Sequence, residues 1–159
     1  MNPELSGWFV TARDIINWTE TNKREAEETL PLLVRKLILF SCKPKEIDFD
    51  SGDLVQIGGW DGILEVEQSN PFIPNGISGW EFGTDKGVNN KANDDYEKRT
   101  ADPNPLDQAK TTFVFVTSRL WKDKKSWVTT RQKENAWKDV KGINAGDLET
   151  VGEKFTYKT

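Results

Sequence analysis

The chain contains no histidine. That excludes Ser-His-Asp triads, imidazole general bases and zinc sites of the His type. It has a single cysteine, Cys42, so neither an internal disulfide nor a thiolate zinc site can form. A lone thiol fits a reducing compartment, and the expected location is the cytoplasm. No apolar run approaches the roughly 18 residues of a membrane span. The most apolar stretch, Leu32 to Phe40, is interrupted by Arg35 and Lys36. No membrane partner is expected. Met1 to Trp8 has neither a basic nor an apolar block, so no signal peptide is read there. There is no P-loop, no GxGxxG, no internal repeat and no low-complexity segment.

What is present is a chain of 159 residues with seven tryptophans. That is one domain of ordinary size, or the excised domain of a longer protein, and it is long enough to bury a core. The formal net charge of −4 argues against indiscriminate nucleic-acid binding, but the charge is unevenly placed. Lys110 to Lys141 carries nine basic residues against three acidic ones. An excess of that size suits contact with phosphates, or a solvated helix face.

Along the chain, Thr11 and Asp14 are spaced as a cap and its N3 acid, which predicts a helix from Ala12 with Ile15, Ile16 and Trp18 inward. Asn22 to Thr29 is charged and helical in character. Pro31 punctuates it, and Leu30, Leu33, Leu37 and Phe40 then recur at helical spacing to Ser41. Ile47 and Phe49, then Leu54, Val55 and Ile57, flank a turn at Asp50 to Asp53. Ile63, Leu64 and Val66 predict a strand, and Ile77, Trp80 and Phe82 another. Val88 to Arg99 reads as a polar helix anchored by Tyr96. Thr111 to Thr117 is continuously apolar and reads as a strand buried on both faces. A helix over Lys122 to Trp137 follows, then a short strand at Val140 to Ile143. Asp147 starts a turn or helix, and Val151 to Thr159 has no clear pattern. This order implies an α/β sandwich around a mixed sheet.

The chemistry concentrates in Gly58 to Lys91. Asp61 opens the first central strand and Glu81 sits within the next. Two carboxylates so placed can share a hard divalent cation, which takes oxygen ligands and keeps several waters. A water on such an ion is a usable nucleophile for a phosphodiester. The ordinary alternative is that acids at strand ends are simply solvated. Glu65 and Glu67 alternate with Asp61 and offer a further ligand or an exposed strand face. Asp95 and Arg99, four apart, can pair on a helix surface. Tyr96, Lys98 and Arg99 can instead hold phosphate. Trp60 and Trp80, each just before an acid, suit the core or a base stack.

A Gly-rich turn and Asp (Gly58 to Gly62), followed by an acid on the next strand (Trp80-Glu81-Phe82), resembles the PD-(D/E)XK nuclease superfamily, and most closely its Mrr-like restriction endonucleases. The wider pattern of GGWDG, SGWE, KANDDYEKRTADP and TTFVFVTSRLW resembles an N-terminal domain of large bacterial proteins, including predicted NTPases implicated in phage defence. The resemblance covers about residues 11–149 and implies a restriction-endonuclease-like sandwich: a mixed sheet of about five strands flanked by helices, in a single domain over 1–159. It implies an Mg²⁺- or Mn²⁺-dependent DNA endonuclease acting as the effector of a longer chain, with DNA and the downstream domains as partners and a homo-oligomer as a possible state. Asp61 and Glu81 are the implied metal ligands. The superfamily lysine belongs two residues after Glu81, where this chain has Gly83. Lys91, at the start of the next helix, is the preferred replacement, with Lys86 the second candidate. Lys86, Lys98, Arg99, Arg119 and Lys122 are the expected nucleic-acid contacts. The alternative is the same fold with its chemistry lost, a module that binds nucleic acid or a protein partner.

Overall fold

The computed structural model describes residues 10–49, 59–68 and 70–156. The turn expected at Asp50 to Asp53 and the strand residues Leu54, Val55 and Ile57 lie outside them.

Thr11 caps the first helix, α1 (Ala12–Thr21), through a complete capping box with Asp14. Ile15 and Thr19 are its buried residues, while Ile16 and Trp18 are half-buried. The charged and apolar stretches that follow form one helix, α2 (Lys23–Ser41), with Pro31 inside it. The sequence suggested a break at Pro31. The helix runs through because Ala26, Leu30, Val34, Leu37 and Ile38 lie on one continuous buried face across the proline.

The strands β1 (Glu46–Phe49), β2 (Gly62–Val66) and β3 (Gly76–Gly83) form an antiparallel meander. After α3 (Val88–Ala101), strand β4 (Thr111–Thr117) pairs parallel to β3. After α4 (Lys124–Lys133), β5 (Asp139–Ile143) pairs parallel to β4. The final helix is α5 (Ala145–Thr156), where the sequence showed no pattern beyond Val151. The fold is an α/β sandwich, a five-stranded mixed sheet in the order β1-β2-β3-β4-β5 with helices against it. No helix among the described residues is long and apolar enough to cross a membrane.

Two cores sandwich the sheet. The first joins α1, α2 and α5 to Leu64, Val66, Trp80, Phe82, Val114 and Val116. The second gathers Trp60, Tyr96, Trp121, Trp127 and Trp137 around Phe113 and Phe115. Strand β4 serves both, because successive side chains of a strand point to opposite faces. All seven of its residues are buried, as its unbroken apolar run predicted.

Candidate active site

Alternation along β3 places Trp80 and Phe82 in the first core and turns Gly79, Glu81 and Gly83 toward α3. A Cβ on Gly79 would lie 2.6 Å from the Trp60 ring, and one on Gly83 would lie 2.7 Å from Cγ of Lys91. Glycine on either side of Glu81 therefore makes room for an aromatic wall and for the lysine stem.

Asp61 precedes β2, whose first residue pairs with Trp80, so Asp61 comes level with Glu81. The two acids interlock through the main chain. The Asp61 amide donates to Glu81 Oε2 (2.9 Å), and the Phe82 amide donates to Asp61 Oδ2 (3.0 Å). Both acids turn toward the helix that supplies Lys91, whose stem crosses Gly83. The Lys91 ammonium donates to Asp95 Oδ1 at 3.1 Å. Of the two readings the sequence left open for Asp95 and Arg99, surface pairing and phosphate contact, neither describes this geometry: Asp95 pairs with Lys91, one turn earlier on the helix.

Arg99 is the residue most differently placed from expectation. Read from the sequence as a phosphate contact, it is buried, with its Nε donating to Glu81 Oε1 at 2.7 Å. Its Nη2 donates to the carbonyl of Gly59. Its guanidinium carbon lies 5.5 Å from the centre of the Trp60 ring. Arg99 thus ties the turn before Asp61 to the acid on β3. The spacing Lys91, Asp95, Arg99 carried the signal, since residues four apart share one helix face. Arg119, also expected to touch nucleic acid, is buried and donates to the Thr84 carbonyl and to Glu20. The exposed residues of that group are Lys86, Lys98 and Lys122. Lys86 and Lys122 line one cleft of about 300 Å³ with Leu120 and the first turn of α3. Tyr96 is a core residue whose hydroxyl donates to Glu134. Trp60 and Trp80 are both buried. Glu65 is half-buried and faces Lys45 at 3.8 Å, and Glu67 is exposed beyond the end of β2.

The electrostatics follow from crowding. Asp61, Glu81 and Asp95 bring three carboxyl groups close to the two cations Lys91 and Arg99. Burial pushes the Glu81 carboxyl up to about 8, the Asp61 charge adds to this, and Arg99 opposes it. Burial raises Asp95 as well, with Lys91 opposing. For Lys91, burial works against the charged form, but Asp95 first and then Asp61 and Glu81 outweigh it, so its pKa rises. Asp95 Oδ2 is buried and has no hydrogen-bond partner.

These residues fit a hard divalent cation of the kind that needs few protein ligands. Among the described residues no group of three His, Cys, Asp or Glu side chains is arranged to hold a metal. Mg²⁺, however, is commonly held by one or two carboxylates and completed by water and phosphate oxygens. Adjacent oxygen donors and an orphaned carboxylate oxygen beside them suit that chemistry. No protein-family model, curated protein or solved structure matches this chain.

Proposed function

We propose that this domain is a metal-dependent DNA endonuclease that hydrolyses phosphodiester bonds, the effector part of a longer antiphage-defence protein. One observation carries the reading: Asp61 and Glu81 interlock across β2 and β3, and Lys91 crosses Gly83 into the same acidic cluster. Asp61 and Glu81 would hold Mg²⁺ or Mn²⁺. When bound, that ion supplies an activated water and a positive charge toward the scissile phosphate. The chain's own residues do the rest. Arg99 fixes the Glu81 carboxylate, and the interlocked amides fix both acids before substrate arrives. Lys91 brings a charged ammonium from a separate helix to the charge that develops on the phosphate. Lys86 and Lys122, exposed on one cleft at the start of the same helix, suit the neighbouring backbone phosphates.

A second reading has its own observation. Both oxygens of Glu81 already accept protein donors, from Arg99 and from the Asp61 amide. Gly83 stands where the superfamily places its lysine. A nuclease-fold module that binds nucleic acid without cutting it accounts for both facts.

Incubation of supercoiled plasmid with the purified chain, in Mg²⁺ or Mn²⁺ and in EDTA, separates the two. Metal-dependent nicking that is lost in Lys91→Met supports the nuclease. DNA retention with metal present and no cleavage, including within the full-length protein, supports the binding module. A thermal midpoint that rises with Mg²⁺ in the natural chain and not in Asp61→Asn would locate the ion independently of activity.

A further inference from the structure

A cavity of about 380 Å³ lies at the β5 edge of the sheet, built by residues the acidic cluster does not use. Phe72, Ile143 and Val151 form its apolar walls, and Lys124, Lys141 and Asp147 supply its charges. Lys141 and Ile143 are two apart on β5, so both side chains leave the same face of the sheet. Ile143 is part of the first core, and Lys141 lines the same cavity. The Lys141 ammonium donates to the Pro71 carbonyl at 2.7 Å. Among the described residues no carboxylate lies within ion-pair distance of it, whereas the Lys124 ammonium is matched by Asp147. An ammonium has three donors and no acceptor, so one neutral carbonyl leaves Lys141 with donor capacity and an unbalanced charge. Burial holds its pKa below the ordinary lysine value; Asp139 and Asp147 act against this and Lys124 acts with it.

We propose that this cavity binds a small monocarboxylate with an apolar body. The carboxylate takes the spare donors of Lys141, and the body lies on Phe72, Ile143 and Val151. The charge balance selects the class. Among the charged side chains that line the cavity, Lys124 and Asp147 cancel and Lys141 remains. Asp139, outside the lining, offsets part of its field without forming an ion pair with it, so the lining offers a single ammonium to a single negative charge. A phosphate dianion would bring a second charge against apolar walls that cannot solvate it. The volume lies within the range of small-molecule sites, whose walls are mostly apolar with a few placed polar groups.

The test is titration of the purified chain, with isotope-labelled Ile and Val methyl groups, using benzoate, its neutral counterpart benzyl alcohol, acetate and inorganic phosphate. Benzoate is expected to shift the Ile143 and Val151 methyl signals along a saturable curve. It should bind at least about tenfold more tightly than benzyl alcohol, as a charge-assisted hydrogen bond requires. Acetate, lacking the apolar body, should bind more weakly. Lys141→Met keeps the stem and should lose most of the preference for benzoate over benzyl alcohol. Shifts without saturation, equal binding of the charged and neutral probes, or tighter binding of phosphate than of benzoate would each overturn the assignment. The two-probe comparison on the natural chain stands even if Lys141→Met fails to fold.

Discussion

At Gly83 the missing side chain matters more than any that could be supplied. An added methyl would meet Lys91 Cγ at 2.7 Å and the Phe115 ring at 2.8 Å. The lysine stem can swing aside, but Phe115 is fully buried and cannot. Gly83→Ala should therefore destabilise the chain by about 1–3 kcal/mol, the usual range for overpacking, as read by urea denaturation, and should displace Lys91 from the acids. Glu81 sets a pH dependence. Burial raises its carboxyl in the folded state to about 8, well above the ordinary glutamate value that the unfolded chain shows. Between those values the folded chain holds a proton that the unfolded chain has released, so stability falls as pH rises through the window. Glu81→Gln should flatten that slope, compared as urea midpoints at mildly acid and mildly alkaline pH. A slope unchanged in the variant would assign the dependence to other groups. At this scale the sequence showed which acids and which lysine to watch, because they stand next to turns and strand patterns. It did not show that Arg99 turns inward. A basic residue in a polar run looks the same whether its partner is a phosphate or a buried carboxylate across the fold.

Element boundaries went astray where local punctuation met tertiary packing. Pro31 looks like a helix start, yet it is buried midway through α2. A proline inside a helix costs about 3 kcal/mol relative to alanine, while truncating it to alanine gives up two buried methylenes, about 1.6 kcal/mol. The first effect is the larger. Pro31→Ala should raise stability by about 1 kcal/mol, visible as a higher urea midpoint at unchanged slope. A loss would mean that the ring's packing outweighs the strain. Helix α4 shows the reverse. The pattern of bases and tryptophans suggested that it reaches Trp137, but it stops at Lys133. Asn135 sits at φ 54°, a left-handed conformation that asparagine tolerates and a helix cannot pass through. Trp137 is buried all the same, from the turn rather than the helix. At the other end of the chain, the capping box at Thr11 and Asp14 was legible because it is wholly local.

For the whole molecule, the two cores meet at β4, with Val114 and Val116 on one side and Phe113 and Phe115 on the other. Neither core can come apart without disturbing the strand they share. Val116→Ala, which touches only the first core, should cost about 2 kcal/mol. It should shift together the unfolding curve seen by the tryptophan-rich second core and the curve seen by far-ultraviolet circular dichroism. Separate transitions for the two probes would show that the layers unfold independently. The α/β architecture was readable because TTFVFVT, with polar helical segments before and after it, admits few other arrangements. The partnership of the two layers with one strand was not, since alternation says that a strand has two faces and not which neighbours fill them.

The interlock of Asp61 and Glu81 makes the backbone itself a witness to what happens at the acids. The amide protons of Asp61 and Phe82 rest on carboxylate oxygens rather than on ladder carbonyls. Their exchange with heavy water is therefore timed by the state of two side chains, whereas that of the amides farther along β2 and β3 is timed by the opening of the sheet. A cation drawn to the carboxylates would alter the exchange of those two protons and leave the clock of the surrounding strands unchanged, so site occupancy could be followed in the intact domain with no substrate and no reaction.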